Sequence, residues 1–233
     1  LLWIPSDDTE ITTTYIYQDD EVGGRRAQSD GVNGFGINYD AYEQGAVILE
    51  PSDRTFDYLS IEATIDLDFA TLTSASSYFD NVGSNISDNT GFYANNFPSA
   101  YVNYPRPLYT AERSYSDKAF VQELRLVGTL SGNFDYVVGL FYQDNDKSMS
   151  QVSDLIGFER WADLQWWANL SPVSSDNVFT YRRLESYKEN AVFGELTYNI
   201  NDRLRLTFGA RHFEVESNVE TFVLADQAWD DYS

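Results

Sequence analysis

The sequence has 233 residues, 42% of them hydrophobic, and its 15 Lys and Arg against 37 Asp and Glu give a net charge of −22. The apolar content predicts a folded chain, and the acidic balance argues against a nucleic-acid partner, because phosphates require a basic surface. The absence of cysteine excludes disulfide frameworks, thiolate zinc sites and cysteine nucleophiles.

Alternation of apolar and polar residues predicts seven strands separated by polar stretches. No run reaches the ~18 apolar residues of a membrane helix, so the protein is either soluble or crosses a membrane with strands. In chain order, strands are predicted at Ile11–Val22, Thr55–Ile65, Phe69–Phe79, Lys118–Leu130, Phe134–Lys147 and Tyr187–Ile200, and from Leu204 onward. Long loops are predicted at 23–54, 81–117 and 148–186 and from 218 onward, and the third contains a possible short amphipathic helix in GFERWADLQWWANL.

The clearest pair of strands flanks the turn Ser131–Asn133. Leu124 and Leu126 share one face of the first strand, whereas Glu123 and Arg125 lie on the other, which is the period of two expected of a strand. The Ser-Gly-Asn turn predicts an antiparallel hairpin. Each strand runs about a dozen residues, roughly twice the ordinary length of 5–6, and a transmembrane β-strand needs ~9–11.

The connections are strongly unequal in length. Short turns near Asp66, Gly132 and Asp202 alternate with loops of roughly 30–40 residues, against an ordinary hairpin loop of 2–5. Outer-membrane barrels combine short periplasmic turns with long extracellular loops. The asymmetry therefore favours strands that cross an outer membrane.

The strands that lead into the long loops end alike, with aromatic residues followed by an acid. These ends are Tyr15–Asp19, Tyr78–Asp80, Phe141–Asp144 and His212–Glu214. An interfacial row of aromatic side chains followed by a hydrated loop has this pattern. Phe69, Phe134 and Tyr198, together with Trp3, would supply the opposite row.

Seven strands cannot close a bacterial barrel, which has an even number, and loops of this length suit large barrels of up to about 22 strands. We therefore expect an all-β chain that forms an antiparallel transmembrane β-barrel segment, a slice of a larger barrel of about 22 strands.

Two windows, Ser114–Asp146 and Lys188–Glu216, resemble mid-barrel hairpins of TonB-dependent outer-membrane receptors, which actively import ferric siderophores, cobalamin and some sugars. The first contains ELRL, a short turn and VVGLFYQD, and the second contains AVFGE, an Asn-Asp-Arg turn and LTFGARH. The resemblance implies that residues 1–233 belong to a receptor β-barrel domain whose plug domain and C-terminal end are not present in this sequence.

The resemblance also implies a function, a location and partners. We expect an outer-membrane receptor that binds and imports a scarce nutrient, a ferric siderophore or a similar iron complex, driven by TonB through the absent plug. Its other partners would be outer-membrane lipid and lipopolysaccharide.

Aromatic and arginine side chains in two loops form the candidate ligand surface, because exposed Trp, Tyr and Arg are concentrated in binding surfaces and Arg pairs with anionic chelates. The candidates are Tyr101, Tyr104, Arg106 and Tyr109 in the second loop and Phe158, Arg160, Trp161, Trp166 and Trp167 in the third. The alternative is that Trp161, Trp166 and Trp167 form a small core within their loop.

Charged residues on the polar face of the strands would line the lumen. They are Glu62, Glu123, Arg125, Glu195, Arg205 and Arg211. Charges are normal on a wall that encloses a polar lumen, and the resemblance implies that they face the plug.

No catalytic arrangement can be assembled around the single histidine, His212, so no enzyme activity is expected. No cofactor and no dedicated metal site is expected either. Divalent cations bridging the acidic loops to lipopolysaccharide phosphates remain a hypothesis, because such ions relieve repulsion among carboxylates.

Two other classes of protein stay open at this point. One is a soluble extracellular β-sandwich that binds a ligand with its long loops. The other is an outer-membrane barrel enzyme, which the single histidine disfavours.

Overall fold

The computed structural model describes residues 1–24, 38–91, 108–130, 132–166, 173–201 and 203–225. In these ranges the chain forms one antiparallel sheet of eight strands in sequence order, with one helix. The strands are β1 (Leu2–Ser6), β2 (Thr9–Val22), β3 (Ser52–Asp66), β4 (Ala70–Asp88), β5 (Tyr109–Leu130), β6 (Phe134–Leu155), β7 (Asn177–Asn201) and β8 (Leu204–Ala225), and helix α1 (Phe158–Trp166) lies between β6 and β7. The all-β, antiparallel fold class and the short helix are confirmed.

The strand count of seven is wrong by one, because β1 was not predicted. This strand has five residues, includes Pro5 and pairs with β2 through Leu2 opposite Thr12 and Trp3 opposite Ile11. So short a segment contains too few alternations to stand out, and a proline is tolerated on an edge strand. Its pairing with β2 depends on contacts that only the folded chain supplies.

The strands are also longer than predicted, at the expense of the loops. β4 continues to Asp88, β5 begins at Tyr109, β6 continues to Leu155 and β7 begins at Asn177. In these extensions polar residues occur on both faces, with apolar residues such as Val82 and Met149 scattered among them, so the regular alternation disappears from the sequence while backbone pairing continues. Cross-strand side-chain bonds support the extensions, including Ser114 Oγ to Ser150 Oγ at 2.7 Å and Asn145 Nδ2 to Asp117 Oδ1 at 2.7 Å.

The asymmetry of the connections is confirmed. Residues 7–8, 67–69, 131–133 and 202–203 join strands at one end of the sheet, and residues 23–51, 89–108 and 156–176 join them at the other. All tight turns therefore lie at one end of the strands, which we call the turn edge of the sheet. All long connections lie at the other end of the strands, which we call the loop edge.

The two faces of the sheet differ in chemistry. The apolar face carries Leu124, Leu140 and Val192, which are side by side in register and remain exposed. The opposite, polar face carries the predicted charged residues. The described residues form a single sheet, and no second sheet covers these apolar side chains. The β-sandwich alternative is therefore wrong for this part of the chain.

Aromatic side chains mark both ends of the apolar face. Near the turn edge, Phe134 and Tyr198 stack with ring centroids 4.5 Å apart. Toward the loop edge, Tyr78 pairs in register with Phe120, and the Phe120 ring lies 6.2 Å from that of Tyr142. The two predicted aromatic rows are thus present on neighbouring strands.

Three glycines within the strands each lie directly opposite an aromatic residue whose ring covers them. Gly83 faces Tyr115, Gly128 faces Tyr136 and Gly139 faces Phe193. A Cβ placed on Gly83 or Gly128 would lie 2.5 Å or 2.6 Å from the tyrosine hydroxyl of its partner, and one placed on Gly139 would collide with the Phe193 ring. Aromatic rings covering glycines fix the register of paired strands.

Gly139→Ala is expected to lower the free energy of unfolding by about 1–3 kcal/mol, the usual cost of adding a group to a filled site. The new methyl group would displace the Phe193 ring. The temperature at which the folded form disappears on SDS gels measures the loss. Gly209→Ala is the matched control, since its nearest neighbouring atom would be 3.5 Å away. Equal behaviour of the two variants would contradict this account.

Candidate functional site

The predicted wall charges lie together on the polar face. The register places Glu62 and Glu123 in one row across the sheet, on either side of Ala75. The next row contains Arg125, Gly139, Phe193 and Arg211. Glu195 lies opposite Val137 and Gly209, and Arg205 lies opposite Asn199 at the turn edge. That these residues face a plug stays a prediction.

Arg211 is held by its surroundings on the polar face. Its Nη2 donates to Glu189 Oε1 at 2.5 Å, and its guanidinium lies 5.0 Å from the Phe141 ring centroid and 5.9 Å from that of Phe193. Tyr187 donates its hydroxyl to the second Glu189 oxygen at 2.6 Å. A guanidinium placed over aromatic rings and paired with a carboxylate is largely satisfied within the wall itself.

The loop edge between β5, β6 and β7 carries a small hydrophobic core. Its members are Tyr109, Leu155, Phe158, Ala162, Val173 and Val178. Trp161 packs against this core, and its ring lies 5.7 Å from that of Phe158. The core fixes α1 against the ends of three long strands.

The candidate ligand residues are distributed unequally around this core. Tyr109 and Phe158 are buried members of it, Trp161 is partly buried, and Arg160 is exposed. Trp161 therefore packs within the loop, as the alternative interpretation of a small loop core expects. Tyr109 and Phe158 are buried and contribute to the packing of the same core. Trp166 ends α1. Tyr101, Tyr104, Arg106 and Trp167 lie outside the described residues, so their contact with a ligand stays a prediction.

Asp176 ties the beginning of α1 to the start of β7. Its carboxylate accepts from the backbone N–H of Gly157 at 2.8 Å and from that of Glu159 at 2.8 Å. Its backbone carbonyl accepts from the N–H of Leu155 at 2.8 Å. The first N–H groups of a helix have no partner within it, so a carboxylate at this point stabilises the helix.

A cavity of about 670 Å³ opens on the polar face near the loop edge, across β2 to β5. Among its lining residues are Gln18, Arg54, Asn85 and Tyr115. The Arg54 Nε donates to Asn81 Oδ1 at 2.9 Å, and the guanidinium lies 5.6 Å from the Phe56 ring centroid. Sequence reasoning missed this site, although Asn81, Asn85 and Ser87, which share one face of their strand, could have indicated it.

The apolar face carries a row of ion pairs just beyond the aromatic row at its loop end. Lys118 Nζ lies 3.0 Å from Asp80 Oδ2, and Lys188 Nζ lies 3.3 Å from Asp144 Oδ2. A hydrogen bond to the neighbouring carboxylate raises the pKa of Lys118 and that of Lys188. Exposed pairs of this kind contribute only about 0–1 kcal/mol to the stability of a protein. They are therefore notable for their position, at the loop end of the apolar face, rather than for stabilising the sheet.

In the described ranges, no three His, Asp or Glu side chains lie close enough together to hold a metal ion. Divalent cations at the acidic loops therefore stay a hypothesis. No helix of the described chain is long and apolar enough to cross a membrane.

The chain matches no protein-family model, and no curated protein matches it. Its fold is similar to the crystal structure of the ferric yersiniabactin uptake receptor FyuA from Yersinia pestis, with a TM-score of 0.64 and 13% sequence identity. The match covers 95% of this chain and 29% of the receptor chain. The chain therefore has a fold similar to part of that receptor and spans less than a third of the receptor's length.

Asp176→Ala is expected to loosen α1 from the wall by removing two hydrogen bonds to its first turn, at a cost of about 0.5–2 kcal/mol for a helix N-terminus. Limited proteolysis should then cleave faster within residues 156–176. Asp163→Ala is the control, since it removes the same charge from the body of the helix. Unchanged cleavage in Asp176→Ala would show that the small hydrophobic core alone holds the helix.

Proposed function

We propose that this chain is part of the wall of an outer-membrane receptor that binds and imports a scarce nutrient under the drive of TonB. The observation that carries the proposal is the sheet itself, which exposes an apolar face, keeps a charged opposite face and separates its tight turns from its long connections. An outer-membrane barrel has an apolar exterior, a polar interior and this division of turns and loops.

The apolar face has the height that a bilayer requires. In the proposed orientation, the membrane-spanning part of β5 runs from Phe120 to Leu130 and that of β6 from Phe134 to Tyr142. These lengths agree with the ~9–11 residues of a tilted transmembrane strand. The ion pairs of Lys118 and Lys188 then lie just outside the membrane, at the level of lipid and lipopolysaccharide headgroups.

The remaining length of each strand projects beyond the outer surface. β6 continues from Tyr142 to Leu155, and α1 follows it. The hydrophobic core around Phe158 and the cavity beside Tyr115 therefore lie above the membrane, where a ligand arriving from outside first meets the protein.

We propose that the charged wall residues face a plug domain that transmits the TonB signal. Arg211 already has a carboxylate and two rings as partners. Glu62, Arg125, Glu195 and Arg205 are exposed on the polar face and could pair with charges on a plug. Charge pairs across such an interface fix its orientation.

The proposed nutrient is an iron complex. One structural neighbour is a receptor for ferric yersiniabactin uptake, and we propose by extension that this chain serves uptake of a ferric siderophore or a similar chelate. Import without chemical conversion is proposed, rather than catalysis.

Val138→Arg is expected to impair membrane insertion by about 2–4 kcal/mol, the cost of a basic residue on the lipid-facing side of a barrel near the bilayer centre. Val137→Arg, at the same depth on the polar face of the same strand, is the matched control and should be tolerated. The amount of folded protein in outer membranes measures both. A wall with one lipid-facing and one lumen-facing side predicts a lower yield of the first variant. Equal yields of the two variants would contradict the proposal that the apolar face contacts the bilayer.

Iron transport tests the proposed function directly. Cells that produce the protein should accumulate ⁵⁵Fe supplied as a ferric chelate, and the accumulation should stop when TonB is deleted or the proton gradient is collapsed. Binding at the cell surface without accumulation in wild-type cells would show that the protein is a receptor but not an importer. Accumulation that is unaffected by loss of TonB would contradict energised import.

A further inference from the structure

Tyr115 contributes to the lining of two cavities on the polar face near the loop edge. One is the cavity of about 670 Å³ beside Arg54, and the other, of about 180 Å³, is also lined by Met149 and Arg183. The larger volume falls within the ~300–1,000 Å³ of small-molecule sites. Tyr115 lies closer to the loop edge than Phe120 of the aromatic row, so in the proposed orientation both cavities lie outside the membrane.

The Tyr115 ring is placed by a single row of residues across the sheet. In register from β3 to β7, this row consists of Arg54, Gly83, Tyr115, Met149 and Arg183. A Cβ on Gly83 would lie 2.5–2.7 Å from the hydroxyl oxygen, Cζ and Cε1 of Tyr115, so the ring occupies the space that a side chain would fill. On the other side of Tyr115, Met149 is 52% exposed. The ring and the thioether form an apolar, polarisable surface, which we call the Tyr115 platform.

The two other rings that cover a glycine have the rest of their surface occupied. The Phe193 ring also lies 5.9 Å from the Arg211 guanidinium. Tyr136 covers its glycine on the apolar face, where the proposed orientation places it against lipid. Within the described ranges, Tyr115 has no aromatic, cationic or hydrogen-bonding side-chain partner. The exposed part of its ring and its hydroxyl are therefore available to a ligand.

Charge does not select a ligand at this surface, because both signs occur around the platform. The charged residues that share its face near the loop edge include Asp20, Arg54, Arg113, Asp117, Lys147, Arg183 and Glu185. Several of them already bond within the wall: Lys147 Nζ lies 3.6 Å from Asp117 Oδ2, and Arg113 donates to Gln151 and Ser87. The shape and the polarisability of the platform are therefore what distinguishes one ligand from another.

We infer that the Tyr115 platform binds a flat aromatic ring of the ligand. That ring lies on Tyr115 and Met149, and the Tyr115 hydroxyl bonds a polar group at its edge. Ring–ring and sulfur–ring contacts both favour an aromatic ligand group over an aliphatic one. The inference rests on the proposed function and names the part of the ligand that this wall recognises. A ferric chelate that holds iron with catechol rings has such a surface, whereas a ferric hydroxamate chelate built on aliphatic chains does not.

The first test compares two chelates of the same metal. Intact protein purified from outer membranes is titrated with a ⁵⁵Fe-labelled ferric tricatecholate and with a ⁵⁵Fe-labelled aliphatic ferric trihydroxamate, and the label retained by the protein is counted. The titrations are made in about 1 M salt, where the Debye length is ~3 Å, so that the different charges of the chelates have little effect. The tricatecholate should bind about tenfold more tightly than the trihydroxamate.

Variants of the two glycine-covering tyrosines connect this preference to the platform. Tyr115→Leu should weaken binding of the tricatecholate about tenfold and leave binding of the trihydroxamate nearly unchanged, whereas Tyr115→Phe keeps the ring and should retain most of the affinity. Tyr136→Leu is the matched control, because it removes the same ring from the same position over a glycine, but on the opposite face. It should lower thermal stability on SDS gels as much as Tyr115→Leu does and leave both affinities unchanged.

Met149→Ala tests the platform without disturbing a glycine contact. The Met149 side chain is exposed and lies opposite Tyr115 and Arg183 rather than opposite a glycine, so its removal should change stability little. Binding of the tricatecholate should weaken several-fold in this variant. Unchanged binding would remove Met149 from the platform and contradict the inference.

The outcomes separate the inference from the proposed function. Tighter binding of the trihydroxamate, or wild-type affinity of Tyr115→Leu for the tricatecholate, would overturn the inference and leave iron import standing. Equal losses of affinity in Tyr115→Leu and Tyr136→Leu would assign the effect to the fold and also overturn the inference. No binding of either chelate by the wild-type protein would overturn both.

Discussion

Antiparallel backbone pairing in a single continuous register is the constraint on which the rest of this molecule depends. From β2 to β8 the register runs without interruption except near Ser153 and Asn199. Successive side chains alternate between faces, so a slip of one residue in any strand would move its leucines to the charged face and its glutamates to the apolar face. The chemical difference between the faces and the pairing of the strands therefore enforce each other.

Several local features protect that register. The rings of Tyr115, Tyr136 and Phe193 each cover a glycine on the adjacent strand, and a shifted strand would place a side chain where the ring lies. On the apolar face, Ser76 and Gln122 are directly opposite and hydrogen-bonded, so even the polar residues there find partners within the wall. Such pairing keeps their polar groups satisfied on a surface that the proposed function places against lipid.

The loop edge combines two kinds of construction. Around Phe158, buried apolar side chains and the Asp176 carboxylate hold a helix against the ends of the strands. Beside Tyr115, the wall remains open and polar, which leaves space for a ligand. Both lie on strand extensions whose pairing continues well past the aromatic row, so the same backbone hydrogen bonds that would cross the membrane also position the surface exposed to the outside.

The sequence by itself determined the class of fold, the two faces and the unequal connections, because alternation with a period of two and short turns such as Ser131–Asn133 are local properties. Only the tertiary structure decided where strands end: the five residues of β1 and the loop-side ends of β4 to β7 are strands because a neighbour pairs with them. Pairing leaves no periodic mark in a segment where polar residues occupy much of both faces. For the same reason, the sequence identified some candidate site residues and missed others. Aromatic composition drew attention to Tyr109 and Phe158, which packing then buried, whereas Arg54, Asn85 and Tyr115 come from three different strands and meet only because the register places them side by side.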